Sequence, residues 1–478
     1  MIRPNILLIY TDQQRWNALG TNGNPDIQTP NLDRLAAQSS NFDHYFVQNP
    51  VCMPSRASFL SGQYPSTLGI THMGVPLPPA TVTLPRLLRN YGYRSANIGK
   101  LHFLPHANRD HRVPHPDYGF DELEISDEPG PYEDAYRAWI RRTQPDQLPH
   151  LSVGLPPAAA VWYKTMGIAD VVPHPSATLG EGSGRFDVKG AIPFPGDDSA
   201  THSAFVAQRT MDFLRRQRRS AQPFLCVAGF YSPHSPWVVP QRFLDQYDPD
   251  QLTLPSFPPE VDARRNADAP LETLYSDAQL RSAHHGYYAM VSEVDFYVGQ
   301  LLDTLDEQGL ADHTIVLFTS DHGEWLGEHL RYGKGYPAHD CVSRVPLLMR
   351  VPGLAARRVE QIVEAVDVVP TLLDCTGIPT PPHLQGESLY PLLRGQTGRR
   401  RNAALTEFSG WKVLRTVNAR YIAHAHGRES LFDLTAPWGE YRDLASDPAY
   451  AATLAHMRQL LITRLLEMER PLARVWPY

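Results

Sequence analysis

The sequence predicts an α/β fold: a large mixed, mostly parallel sheet flanked by helices, with a small antiparallel sheet plus helix at the C-terminal end. Three observations carry this. Short apolar runs without alternation recur at 5–10, 223–231, 314–319 and 345–351, the pattern of strands buried on both faces. Segments with helical character separate them, at 84–91, 203–217 and 284–309. From about Thr376 the texture changes to short strands at 404–407, 411–416, 421–425 and 431–433, then an amphipathic helix over 450–468. The expected division is a large domain over 1–375, with inserts at about 127–200 and 240–280, and a smaller α+β subdomain over 376–478.

The composition is that of an ordinary globular chain, 478 residues with 42% hydrophobic and 20% charged. A net charge of −7 argues against a nucleic-acid partner held by a broad basic surface. No run is long enough to span a membrane, and no secretory leader is evident. Cys52, Cys226, Cys341 and Cys375 have neither metal-site nor disulfide-framework spacing. The expectation is a cytoplasmic protein with no membrane partner.

Taken in order, the 5–10 run ends at Thr11, Asp12 and Gln13. The C-terminal edge of such a sheet is where ligands bind, although an Asp there can equally cap a helix. A helix is expected from Pro30, and a second strand at 42–46 delivers the stretch Val51 to Gln63. Pro54 suits a first helical turn and Gly62 a left-handed stop. Cys52 is then expected just outside a helix N-terminus, where N–H groups favour negative charge, with Arg56 adding a cation. Together they suggest chemistry on an anionic group. The alternative for a lone Cys is a small buried hydrophobe.

Gly92 ends the 84–91 helix, and the strand at 93–99 leads to Lys100-Leu101-His102. Alternation would point Lys100 and His102 the same way. His102, His106, His111 and His115 suggest either metal or a polar surface loop, and only His102 is assigned to the site. Arg215, Arg216, Arg218 and Arg219 read as a solvated helix end. The 223–231 strand is followed by Ser232-Pro233-His234-Ser235-Pro236, whose prolines restrict His234. On the 284–309 helix, Tyr288, Val291, Val294, Val298 and Leu301 share one face, and Glu293 and Asp295 are assigned to the polar side. Asp321 and His322 follow the 314–319 strand, so both can reach one metal ion.

The order Cys52-Met53-Pro54-Ser55-Arg56, followed by an apolar pair, a small residue and Gly62, resembles the signature of the formylglycine-dependent sulfatases in the alkaline phosphatase superfamily. "TPNLDRLA" at Thr29, Gly119-Phe120-Asp121, and the closing "LFDLTAPWGEYRDLASDP" resemble the same family. The resemblance implies that Cys52 is oxidised to formylglycine, an aldehyde that hydrates to a gem-diol. Asp12, Gln13, Asp321, His322 and the modified Cys52 would hold one divalent metal, Ca2+ by family, with Mn2+ or Zn2+ as alternatives. Gln13 replaces a second Asp, as in phosphonate monoester hydrolases. Lys100 and His102 match the family's Lys-x-His, a pair at which those hydrolases differ. His234 matches the His of a PHxP motif that contacts sulfate, and Lys334, in Gly333-Lys334-Gly335, the family's second active-site lysine. Gln63 stands where the family often has Arg.

The implied reaction is hydrolysis of a small sulfated organic substrate. A diol oxygen attacks sulfur, with Arg56, Lys100, His234 and Lys334 around the anion. His234 or Lys334 protonates the leaving alcohol, and His102 takes the proton whose loss expels sulfate. A formylglycine-generating enzyme is the implied maturation partner, and a homo-oligomer is left open. Two alternatives stand beside this: a phosphonate monoester or phosphodiester hydrolase on the same site, and an unmodified relative that binds sulfated ligands.

Overall fold

The computed structural model describes residues 3–105, 113–151, 190–265, 275–397 and 401–469. His106, His111 and parts of both expected inserts lie outside the described residues.

Eight strands form the main sheet, in the order Arg357–Glu364, Ser40–Phe46, Leu347–Arg350, Thr314–Ser320, Asn5–Thr11, Phe224–Gly229, Arg94–Gly99 and Glu122–Ile125. Leu347–Arg350 runs antiparallel to both its neighbours, and the other pairs are parallel. The sheet is buried between two apolar layers. Ile6, Leu8 and Tyr10 enter one layer and Leu7 and Ile9 the other. Both faces need apolar residues, which is why the sequence shows a run and no alternation.

Register matters more for function than strand number. Thr11 pairs with Ser320, Tyr10 with Gly229, and Gly229 with Gly99. Four neighbouring parallel strands therefore end at nearly one level. The residues that follow, Asp12, Asp321 and Lys100, emerge together at the C-terminal edge.

The helix Asp277–Glu307 packs along the sheet and buries Tyr288, Val291, Val294, Val298 and Leu301 as expected. Glu293 and Asp295 correct the sequence reading. Both are buried, because helices pack on this side of the rod too. The Asp295 carboxylate accepts from Leu32 N at 2.7 Å and Asn31 N at 3.2 Å. It caps the helix Pro30–Ala36, whose own Thr29 makes no side-chain cap. Asp295→Ala is expected to cost about 1–2 kcal/mol in urea unfolding. An unchanged midpoint would show that the cap is energetically idle.

Glu293 accepts from Ser203 Oγ at 3.1 Å, and Ser203 reaches Ser232 Oγ at 3.1 Å, below the His234 loop. Burial lifts the Glu293 carboxyl to about 7. The folded state therefore holds this proton more tightly than the unfolded chain does. Stability contributed by the protonated acid is lost as pH rises from the unfolded value of about 4.3 through 7, on the order of 3 kcal/mol in all. Glu293→Gln is expected to flatten that decline in melting temperature between pH 5 and 8. Parallel wild-type and variant profiles would refute this.

The tail forms a four-stranded antiparallel meander, Ala404–Phe408, Trp411–Arg415, Ala419–His424 and Glu429–Asp433, with the helix Ala451–Glu467 against it. Its first strand grips the chain just before Cys52. Glu407 N donates to Gln48 O at 2.7 Å, Asn49 Nδ2 to Glu407 O at 2.7 Å, and Thr406 Oγ1 to Val47 O at 2.7 Å. Arg464 from the last helix reaches the Tyr64 hydroxyl at 2.9 Å and Glu364 at 3.1 Å. The small sheet and the last helix thus clamp the two flanks of the Cys52 helix. No described helix is long and apolar enough to cross a membrane.

Candidate active site

The helix Cys52–Ser61 is buried along its whole length. Val51 is extended and Gly62 ends the helix at φ 65°, its N–H bonding Ser58 O at 2.9 Å. Pro54 costs nothing, since first-turn N–H groups have no partner within the helix. Cys52 is the first helical residue, where the sequence reading had placed it just outside. Its thiol is not activated either. Burial, then Asp12, push its pKa up to about 11 against the pull of Lys334 and Lys100. The helix start alone does not overcome desolvation.

Four donors converge at this point: Asp12, Cys52, Asp321 and His322. Cys52 Sγ lies 3.2 Å from His322 Nε2 and 3.7 Å from Asp12 Oδ1. His322 Nε2 lies 3.5 Å from Asp12 Oδ1 and 3.7 Å from Asp321 Oδ1. The His322 Nδ1 side meets Gly323 O at 2.8 Å, which turns the Nε2 lone pair into the cluster. Burial keeps this imidazole neutral, its pKa below the ordinary value.

Gln13 completes the group. It adopts φ 71°, a left-handed conformation that costs a non-glycine residue energy. Gln13 N donates to Asp321 Oδ1 at 3.1 Å, and Gln13 O accepts from the Tyr287 hydroxyl at 2.8 Å. Its amide Nε2 donates to Glu324, while Oε1 is buried with no hydrogen-bond partner among the described residues. Two carboxylates, a neutral imidazole and an orphaned amide oxygen suit a divalent cation.

Cations surround the donors. Arg56 Nε donates to Asp321 Oδ2 at 2.7 Å, and its other nitrogens reach Lys100 O and Thr11 O, both at 3.2 Å. Its guanidinium lies 4.5 Å over the Tyr10 ring. Lys100 Nζ is 2.5 Å from Asp12 Oδ2 and 4.9 Å from the centre of the Tyr231 ring. Lys334 Nζ donates to Cys52 Sγ at 2.7 Å and meets His234 Nε2 at 2.8 Å. Burial opposes the Lys334 charge, yet Cys52 and Asp12 hold its pKa above the usual lysine range. Burial and Lys334 push His234 well below its ordinary value. Its Nδ1 meets Ser235 O at 2.5 Å, so Nε2 faces the Lys334 ammonium as an acceptor. Burial would raise the Asp12 carboxyl, but Lys100, ahead of His234 and Lys334, holds it well below the carboxylate range. Buried Arg56 and Lys100, with half-buried Lys334, outnumber the two carboxylates they face, which leaves room for an anion.

Lys100 and His102 do not share a face by strand alternation. The strand stops at Gly99, at φ 89°, where a Cβ would lie 2.1 Å from Gly229 O. That close approach lets Lys100 N bond Gly229 O at 2.7 Å and sends its side chain to Asp12. His102 is buried at φ 55°, with Leu101 N and His102 N both donating to Asp127 Oδ1, at 3.0 and 2.8 Å. Direct contacts to the Cys52 sulfur come from Asp12, His322 and Lys334, and His102 sits two residues beyond Lys100. Glu324 was not singled out from sequence. It is buried and also accepts from Leu326 N at 3.1 Å. Its place three residues after Asp321 was the available signal.

Comparison with known proteins gives the family and the fold. The sulfatase family profile matches residues 4–378, and that of the N-sulphoglucosamine sulphohydrolase C-terminal region matches 327–467. The chain is 28% identical to an ulvan-active sulfatase of Formosa agariphila, over 98% of this chain and 82% of that one. It is also 28% identical to an arylsulfatase of Clostridium perfringens, over 97% and 95%. The phosphonate monoester hydrolase of Agrobacterium radiobacter superimposes with a TM-score of 0.78 at 26% identity, covering 98% of this chain and 96% of that one. The fold, the site at its strand ends and the profile over most of the length agree: this chain belongs to the sulfatase family and is an enzyme of that family.

Proposed function

We propose that the enzyme hydrolyses a sulfate monoester of a small organic alcohol at a formylglycine made from Cys52. The observation that carries this is the position of Cys52 Sγ, in contact at once with Asp12, His322 and the Lys334 ammonium. Asp12, Gln13, Asp321, His322 and oxidised residue 52 would hold one divalent cation, which when bound polarises the attacking oxygen and offsets developing negative charge. Ca2+ suits the oxygen donors, and Mn2+ or Zn2+ suits the His322 imidazole. The hydrated formylglycine supplies the attacking hydroxyl and a means of releasing sulfate by elimination.

The chain's own residues do the rest. Lys100 and Lys334 face the ester oxygens and stabilise charge as the sulfur–oxygen bond breaks. Lys334 gives its proton to the leaving alcohol, because the His234 Nε2 beside it is an acceptor. His234 holds the Lys334 ammonium in place by accepting a hydrogen bond from it at Nε2. His102 is the base that removes the diol proton before sulfate departs. Arg56, whose nitrogens all face protein oxygens, acts by holding Asp321 and Asp12 in position. Maturation requires a formylglycine-generating enzyme.

A second reading, phosphonate monoester or phosphodiester hydrolysis, is favoured by Gln13 and by the likeness to the Agrobacterium hydrolase. The deciding experiment is a rate panel on protein co-expressed with a formylglycine-generating enzyme. Aryl sulfate turnover well above aryl phosphonate and phosphodiester turnover is expected. The reverse order would transfer the assignment to the second reading.

A further inference from the structure

A second group of metal-type donors lies away from Cys52, where the segment carrying Lys334 meets the C-terminal sheet. His329, His339 and Glu440 each present one ligand atom, all mutually within 4.8 Å. Glu440 Oε2 is 3.5 Å from His339 Nδ1 and 4.0 Å from His329 Nε2. Both of these nitrogens are buried with no hydrogen-bond partner among the described residues, and His339 is only 3% exposed. Two orphaned imidazole nitrogens turned toward one carboxylate oxygen are costly unless something fills the space between them.

The surroundings are built to hold that shape. His329 has φ 54°, a strained conformation for a non-glycine residue. Its ring stacks on Tyr441 at 3.9 Å, and the backbone N–H of His329 donates to the Tyr441 hydroxyl at 3.1 Å. Trp325 flanks both imidazoles, at 5.5 Å and 5.4 Å between ring centres. Glu440 spends its other oxygen on Arg420, which also pairs with Asp340. That leaves Oε2 oriented toward the histidines. The guanidinium charge of Arg420 is already matched by carboxylates, but it disfavours a cation that binds by charge alone.

We propose that His329 Nε2, His339 Nδ1 and Glu440 Oε2 form a structural site for a borderline transition-metal dication of the Zn2+ type, distinct from the cation site at Asp12 and Asp321. Two imidazoles and one carboxylate are a zinc-like donor set, whereas Ca2+ and Mg2+ require mostly oxygen. Water completes the coordination. The ion ties both ends of the 329–339 segment to the C-terminal sheet, and Lys334 lies midway along that segment. Its role is to hold Lys334 against Cys52 and His234.

The test is metal stoichiometry, which is independent of turnover. The full-length protein is stripped with chelator, then titrated with ZnCl2 by calorimetry and assayed by elemental mass spectrometry. Two zinc equivalents are expected in the wild type. His329→Gln, His339→Gln and Glu440→Gln are each expected to keep the active-site equivalent and lose the second. X-ray absorption of the two-zinc wild type, which needs no variant to fold, is expected to show more than one imidazole per zinc on average. Zinc binding in the wild type that the three substitutions leave unaffected, or a zinc shell with no added imidazole, would each overturn the proposal.

Discussion

Cys52→Ala is expected to lower kcat at least about 10,000-fold, the scale of removing a covalent nucleophile. Cys52→Ser should do the same with a formylglycine-generating enzyme that acts on cysteine. The unmodified thiol offers no substitute, because burial and Asp12 push it up to about 11, so little thiolate exists near neutral pH. Neither variant removes Asp12, Asp321 or His322, so active-site metal content should persist while turnover is lost. The measurement is steady-state hydrolysis of an aryl sulfate, with the mass of the Cys52 peptide recorded for the wild type. Wild-type kcat in either variant, or full activity from a protein whose Cys52 remains a thiol, would end the formylglycine mechanism.

Lys334→Ala is expected to lower kcat by about 100- to 1,000-fold, the cost of losing one preorganised donor to developing charge. Its ammonium touches both Cys52 Sγ and His234 Nε2, which gives it the most central position of any cation in the site. The loss should be greatest for poorly departing alkyl alcohols and shrink as the leaving group becomes more acidic, since an acidic phenol needs no proton. Lys334→Arg should not rescue it, because a planar guanidinium cannot occupy the ammonium's place between the two partners. Formylglycine content must be measured in each variant. Equal losses across leaving groups would make Lys334 an electrostatic group and return the acid role to His234.

Much of the fold was legible because its signals are local. The runs at 5–10 and 314–319 lack alternation because both faces of the sheet are covered. Gly62 marked a helix end that depends only on its own backbone. The groups at the strand ends stood out for a related reason. Asp12, Asp321 and Lys100 follow strands and Cys52 lies at a helix start, so position brought them forward, and the family resemblance supplied their expected roles.

What failed from sequence depended on distant partners. Asp295 looked polar on its own helix, and only the packing of that helix against Asn31 and Leu32 made it a cap. The Gly99–Gly229 contact, a tertiary close approach, ended the alternation expected for Lys100 and His102. The environment of Cys52 also reversed its local reading, since a helix start favours an anion while complete burial disfavours one. The His329, His339 and Glu440 group has no sequence spacing that would reveal it, because its third member comes from the turn Gly439–Tyr441 that follows the small sheet, about 100 residues away. The sequence alone determined the sheet class, the motif at Cys52 and the set of groups carried to the strand ends. The tertiary structure decided which of those groups touch, which are charged and which only hold others in place, because contact and desolvation are properties of packing between segments hundreds of residues apart.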